Sequence, residues 1–429
     1  MLTLHAAPLV LPMTFAPIPD GAVLVDHDRV VAVGTRADLA AAHPDARVRD
    51  WPGILTPGLV NSHAHTQYFD FGDLAASGLP FPEWLHQMVA RRATFTDAMW
   101  QESTRRGLHA YLETGTTAVA DIVTEPVVLS AIARSGIRGV AYIEAVFADD
   151  ASWTAGRRAD YLAAVDGAGA PVRGVSPHTP FTISTGVYED CVAIAHERGK
   201  RLHPHIAETA EESEYVLTGT GPFADNAKQF GLDFSDILDG GTGLSPVEWA
   251  DARGALGADC HIAHGIHVSA SDRALLRERG TAVALCVRSN RILAAGEPPV
   301  AAYLREGSPI GVGTDSAAST PSLDLLDELR ALRGVARDQG YDAEDLDRRL
   351  VEAATLGGAA ALGLAEGPER VGRLEPGVRA DFAVFAVPRD ALGTAGASAA
   401  PDTDPYRLLI DHGRCVVTVL DGTIVHRKV

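Results

Sequence analysis

The stretch Pro57-Gly58-Leu59-Val60-Asn61-Ser62-His63-Ala64-His65 joins an apolar, strand-like run to two histidines spaced two apart. On a strand, alternate residues share a face, so His63 and His65 point the same way and can hold one cation through two imidazoles. Alone, the pair reads equally well as two surface histidines. The same texture recurs, however. Counting Leu55–Asn61 as the first, apolar runs follow at Thr117–Ile122, Gly139–Glu144, Val172–Ser176, Arg201–Ile206, Cys260–Gly265, Ala282–Val287 and Ile310–Thr314. Helix-patterned segments such as Asp97–Thr114, Val187–Arg198, Asp272–Arg279 and Ser322–Gln339 lie between them. Alternating strand and helix is the pattern of a parallel sheet. Eight such units predict an α/β fold, a (β/α)8 TIM barrel, with an open doubly wound sheet as the alternative.

Outward from that core the texture changes. Val23–Val25 and Val30–Val33 flank the polar turn Asp26-His27-Asp28, the pattern of a β-hairpin. Near the other end, Arg379–Phe385 and Cys415–Leu420 are β-rich, and Asp421-Gly422 makes a turn before Thr423–His426. Residues 1–57 plus 368–429 are therefore expected to form one small, discontinuous β-sandwich domain beside a barrel at 58–367.

Composition narrows the classes of function. The 429 residues carry 37 basic and 56 acidic side chains, a net charge of −19 that repels phosphate backbones and anionic lipid. No nucleic-acid or membrane partner is expected. Cys191, Cys260, Cys286 and Cys415 form no CxxC, which suits a reducing compartment. The first twenty residues lack a basic start, and Pro8, Pro12 and Pro17 interrupt their apolar run, unlike a secretory signal. No uninterrupted apolar stretch reaches membrane-spanning length. The expected location is cytoplasmic.

Chemistry-bearing residues gather at the predicted strand ends, where barrels of this kind carry their sites. His205 ends the fifth run as a third candidate nitrogen ligand, and Glu208, three residues on, is placed to take a proton from a metal-acidified water. His264, on the sixth run, is the functional choice among His261, His264 and His267, the other two suiting packing or loop roles. Asp315, in Gly311-Val312-Gly313-Thr314-Asp315-Ser316, can bind metal and act as a base beside glycines that let a ligand approach closely; a helix cap or turn is its bland alternative. Glu144 and His178, at the third and fourth strand ends, complete the series.

The set PGLVNSHAH, HIAET, HIAHGIH, CVRSN and GTDSAAS resembles the amidohydrolase superfamily, in the branch of aminohydrolases acting on nucleobases and nucleosides. The similarity extends to GRLEPGVRADFAVF in the C-terminal β-rich part. It implies that His63, His65, His205 and Asp315 bind one divalent metal ion, zinc ahead of iron although both accept such a set. It further implies that Glu208 is the proton shuttle, that His264 orients the attacking water, and that Asp315 also takes part in catalysis. Binuclear members of the superfamily bridge two metals with a carboxylated lysine after the fourth strand. Here that segment is Ser176-Pro177-His178-Thr179-Pro180, and of the three lysines only Lys200 is nearby, at the wrong end of a strand. A mononuclear, deaminase-like site follows.

The resemblance also implies a purine nucleoside-like small-molecule substrate and a homodimer. SPHTPFTIS is similar to a segment in which the histidine contacts the nucleoside, which makes His178 a substrate contact. Glu144 is a candidate for ribose hydroxyls, and Trp84, in Phe81-Pro82-Glu83-Trp84-Leu85, for the pocket wall. Arg91-Arg92 follows where S-adenosylhomocysteine deaminases carry a carboxylate, and suits a benzoate instead. The family's proline in the seventh-strand motif is Val287 here. The leading expectation is hydrolysis of 6-amino-6-deoxyfutalosine to futalosine and ammonia, a step of menaquinone biosynthesis. The alternatives are an adenosine, S-adenosylhomocysteine or guanine-type deaminase, a triazine hydrolase and, remotely, a non-catalytic scaffold.

Overall fold

The computed structural model describes residues 2–79, 81–167, 169–232, 234–388 and 404–428. Eight parallel strands form the central sheet: β1 (Leu59–Ala64), β2 (Thr116–Val123), β3 (Arg138–Ala145), β4 (Val172–Pro177), β5 (His205–Ile206), β6 (His261–His264), β7 (Ala282–Leu285) and β8 (Ile310–Val312). Each pairs with the next from β1 to β4 and from β5 to β8, and β8 pairs back onto β1. Leu202 closes the circle, bridging Val175 on one side and Cys260 on the other. The result is the expected (β/α)8 barrel. Strands covered on both faces read as continuous apolar runs, and all of β2 is buried.

The seventh and eighth runs stop early, at Leu285 and Val312, with Val287 already opening a helix, and two other runs differ more from the sequence expectation. The run Leu55–Asn61 is divided: Ile54–Pro57 pairs in a separate sheet, and Leu59 opens β1. Gly58 makes the passage between them, because a Cβ there would stand 2.0 Å from Thr117 Oγ1. The fifth run is strand only at His205–Ile206. Pro204 has no N–H for a ladder, although its carbonyl still accepts from Ala263 N at 2.9 Å.

Both parts of the chain outside the barrel supply the second sheet. Its order is Thr423–Arg427, Arg414–Leu420, Phe382–Ala386, Ile54–Pro57, Leu2–Val10, Ile18–Asp26 and Arg29–Thr35, with Arg47–Asp50 pairing with Leu2–Val10 as well. The predicted hairpin is present, with Ile18–Asp26 antiparallel to Arg29–Thr35. Its alternation sends Val23 and Val25 into one apolar cluster, with Trp51 and Phe382, and Ala22 and Leu24 into another.

A charged seam joins this sheet to the barrel. Arg138, the first residue of β3, donates to Asp381, Asp421 and Glu369. Arg379 donates to the same Glu369 (2.8 Å from Nε), to Asp28 and to Asp421. The seam lies at the N-terminal end of β3, away from the strand ends that carry the histidines. Among the described residues, no helix is long and apolar enough to cross a membrane.

Candidate metal centre and catalytic pocket

The C-terminal strand ends bring His63, His65, His205 and Asp315 into one mouth. His65 Nε2 and His205 Nε2 stand 3.2 Å apart, and Asp315 Oδ1 lies 3.6 Å from both His63 Nε2 and His65 Nε2. Ligands about 2.0–2.1 Å from a tetrahedral zinc are separated by about 3.3 Å, so the spacing matches a cage around one ion. His63 Nε2 is buried without a hydrogen-bond partner, as a lone pair awaiting a cation would be. Burial holds His65 down at about 4 and His63 and His205 well below the ordinary imidazole value. Neutral imidazoles are the form that ligates metal. Three nitrogens and a carboxylate oxygen therefore fit a divalent ion such as zinc or iron.

Local backbone aims these groups. His264 and Asp315 end their strand regions at φ of 71° and 60°, left-handed conformations that cost a non-glycine residue on the order of 1–3 kcal/mol. Asp315 N donates to His63 O at 3.0 Å, tying the eighth strand end to the first. Its Oδ2 accepts from Ser289 Oγ at 2.5 Å and Ser319 Oγ at 3.2 Å, and its Oδ1 from Ser316 N at 2.8 Å. The glycines before Asp315 serve the neighbouring strand and not a ligand, contrary to expectation. A Cβ on Gly313 would lie 2.7 Å from His63 Cβ, and one on Gly311 2.2 Å from Ser62 Oγ.

Glu208 and His264 face each other beside the cage, with Oε1 3.5 Å from Nε2. Burial raises the Glu208 carboxyl above its usual range, against the pull of His264. Glu212 fixes the loop that carries it, accepting from Ala207 N and Glu208 N at 2.8 Å each. Asn290, on the helix Val287–Ile292, lies 3.0 Å from His264 Nδ1 and leaves Nε2 aimed into the mouth. That helix begins where Glu328 Oε1 accepts from Arg288 N at 3.0 Å.

The other expected residues line the same groove. Glu144 Oε2 accepts from Thr124 Oγ1 at 2.6 Å, and Oε1 is buried without a partner, 3.7 Å from His178 Nε2. Burial pushes Glu144 up to about 7 and His178 down to about 3. Trp84 lies on the helix Phe81–Arg92, which flanks the groove, and its Nε1 donates to Ala318 O at 3.0 Å. The two arginines part company. Arg92 lines the groove and holds Glu125 at 3.1 Å, whereas Arg91 turns to Asp73 and the Asp70 carbonyl, over the Phe71 ring.

Sequence reasoning missed Ser289, Asn290, Glu212 and His203. The CVRSN motif flagged the first two only as part of a pattern. His203 repeats the HxH spacing of His63 and His65, a signal that was there to be followed. His261 and His267 bond to the carbonyls of Ser62 and Ala295, at 3.0 and 2.7 Å.

Comparison with known proteins adds descent to this geometry. The model of the amidohydrolase family matches residues 54–425, and that of a bacterial imidazolonepropionase-like composite domain matches residues 21–46. The 5-methylthioadenosine/S-adenosylhomocysteine deaminase of Halobacterium salinarum is 34% identical over 387 residues, 86% of this chain and 80% of its own length. The aminodeoxyfutalosine deaminase of Deinococcus radiodurans is 30% identical over 353 residues, 80% of this chain and 81% of its own. The crystal structure of an adenosine deaminase from Xanthomonas campestris with bound zinc shares the fold, with a TM-score of 0.80 at 24% identity, covering 99% of this chain and 93% of that one.

Proposed function

The chain belongs to the amidohydrolase family and is a hydrolase acting on C–N bonds, and from that premise we propose that it deaminates an adenine-type nucleoside at a site holding one divalent cation, zinc ahead of iron. The observation that carries this reading is the meeting of a buried carboxyl, Glu208, with His264 at the edge of the His63, His65, His205 and Asp315 cage. His63, His65, His205 and Asp315 would hold the cation, and the chemistry it would supply is acidification of a water, to a pKa of about 7. Glu208, whose carboxyl is raised by burial, takes that water's proton and delivers it to the ring nitrogen beside the amino-bearing carbon. His264, steadied by Asn290, orients the water and polarises the carbon under attack. Asp315 relays a proton to the leaving amine, so water and amine become a ring carbonyl and ammonia. The segment Ser176-Pro177-His178-Thr179-Pro180 at the end of β4 holds no lysine to bridge a second metal, which supports a mononuclear site. All of these residues fall within 58–367, the segment read as the barrel.

Substrate recognition follows from the groove. Glu144, with one oxygen free of partners, accepts hydrogen bonds from ribose hydroxyls, and His178 lies beside it for the same nucleoside. Trp84 forms part of the wall. Arg92, on the groove wall, is the cation that would meet the benzoate of 6-amino-6-deoxyfutalosine, and this supports the reading of a step in menaquinone biosynthesis. A second reading, 5-methylthioadenosine or S-adenosylhomocysteine, is favoured by the apolar side chains of Phe81, Leu85, Met88 and Val89 along the groove.

Ammonia release from aminodeoxyfutalosine, adenosine, 5-methylthioadenosine, S-adenosylhomocysteine and guanine, measured side by side, tests both. The highest kcat/KM is expected for aminodeoxyfutalosine; a higher value for a thioether nucleoside moves the assignment to the second reading. No ammonia from any of them overturns the deaminase reading. Protein purified without stoichiometric metal would return the remote alternative of a non-catalytic scaffold.

A further inference from the structure

Below the cage lie two fully buried histidines that no step above uses, His203 and His261. Their rings stack with centroids 3.7 Å apart and planes 19° apart, and Tyr142 meets both edge-on. Their hydrogen bonds run in a fixed direction. His261 Nε2 lies 3.0 Å from the Ser62 carbonyl, and His203 Nδ1 lies 2.8 Å from the His261 carbonyl. A carbonyl oxygen only accepts, so both ring nitrogens carry protons.

The remaining nitrogen of His203, Nε2, stands 2.8 Å from His63 Nδ1. One of the two must donate. Were it His203, that ring would be a cation inside the barrel, and His63 would hold its proton on Nε2 with no lone pair for a metal. With His63 as donor, Nδ1–H points at His203 and Nε2 is left bare. That Nε2 is the buried, unpartnered atom 3.6 Å from Asp315 Oδ1.

We propose that His203 is a positioning residue for the metal centre, accepting the His63 Nδ1–H and thereby fixing His63 as an Nε2 ligand through a chain of protons anchored on two backbone carbonyls. The inference rests on reading the cage as a cation site. Metal-bound histidines commonly lean on a carboxylate, a backbone carbonyl or a water. A neutral ring orients the ligand equally well but adds no negative charge beneath the ion.

The test measures zinc affinity of the full-length protein by competition with a chelator, independently of turnover. His203→Phe keeps a ring against His261 but offers no acceptor, and its zinc affinity is expected to fall by about 10–100-fold. His203→Gln can accept from His63 and donate to the His261 carbonyl, and is expected to recover most of that loss. Wild-type affinity in His203→Phe, or an equal loss in both variants, reduces His203 to packing and overturns the proposal. Should the phenylalanine variant not fold, the zinc-loaded wild type answers alone through 1H–15N spectra of its histidines. His63, identified in the wild type by coupling across its hydrogen bond to His203 Nε2, should show Nδ1–H with zinc on Nε2; the reverse tautomer overturns the proposal. A wild type that binds no zinc removes the cage reading itself, a different failure from normal binding in His203→Phe.

Discussion

The two ends of β3 carry opposite solutions to burying charge. At its first residue, Arg138 spreads its guanidinium over Asp381, Glu369 and Asp421, and Arg379 reinforces the same acids. At the other end Glu144 keeps one oxygen buried with no hydrogen-bond partner, 3.7 Å from His178 Nε2, in the mouth that also holds the bare Nε2 of His63. Buried polar groups in folded proteins are nearly always paired. The seam obeys that rule from within the chain, and the mouth reserves its unpaired atoms for something that arrives. Pairing ties the two sheets together, whereas the unpaired polar atoms of the mouth stand among the groups proposed to hold the cation and the substrate.

The contrast breaks first under metal removal. Dialysis against a chelator is expected to abolish ammonia release completely and to lower the melting temperature, with zinc restoring both; full activity in metal-free protein would refute the cage. Glu208→Gln comes next, with kcat down by about 10²–10⁴-fold and zinc content unchanged by elemental analysis. At the seam the signs invert. Arg138→Met strands the nearly inaccessible Asp381 carboxylate and should lower unfolding free energy by about 3 kcal/mol, read in denaturant, while kcat/KM stays at the wild-type level. Glu144→Gln is smaller, with kcat/KM reduced by about 5–100-fold, mostly through KM, for a ribonucleoside, and little changed for an analogue lacking the ribose hydroxyls.

Acidity supplies the finest distinction. Burial pushes Glu144, Glu212 and Asp121 each up to about 7 in the folded chain. A raised carboxyl pKa gives stability that is fully present below the unfolded value, about 4, and is lost as pH rises through 7. Burial also acts to raise Glu369 in the seam, but hydrogen bonds and charge from Arg379, with Arg138 and Arg29, outweigh it and hold it below its usual value. Its contribution is present above the unfolded pKa and is lost as pH falls below it. The buried histidines held below their ordinary value pull the wild-type curve the other way, so the carboxyl effect is read as a difference: in metal-free protein, Asp121→Asn should raise the melting temperature relative to the wild type more at pH 8 than at pH 5. Glu369→Gln should change the melting temperature more at neutral pH than at acid pH, where the carboxyl is protonated in both states.

The barrel was legible because its strands are short apolar runs ended by polar residues, and burial on both faces enforces that pattern. His63, His65, His205 and Asp315 were legible for the same reason, since the end of a parallel strand is also the rim of the mouth. Local pattern said less where geometry is set at long range. Trp84 reaches Ala318 across more than half the chain, and Glu328 caps the helix that carries Ser289 and Asn290. The two glycines before Asp315 looked like room for a ligand, yet only the packed neighbour shows that His63 and Ser62 fill it. His203 carried the same HxH signal as His63 and His65, but spacing alone does not reveal how deep a residue sits, and so did not separate a ligand from the residue beneath it.

The strand Ile54–Pro57 meets its partner Phe382–Ala386 only after roughly 300 further residues have been made. At about 5–20 residues per second, a ribosome needs on the order of 15–60 s to deliver that partner. For all of that time the nascent chain shows an open sheet edge next to the segment that carries His63 and His65. Slow translation or a shortage of chaperones should therefore reduce the yield of this protein before any defect in its chemistry is felt.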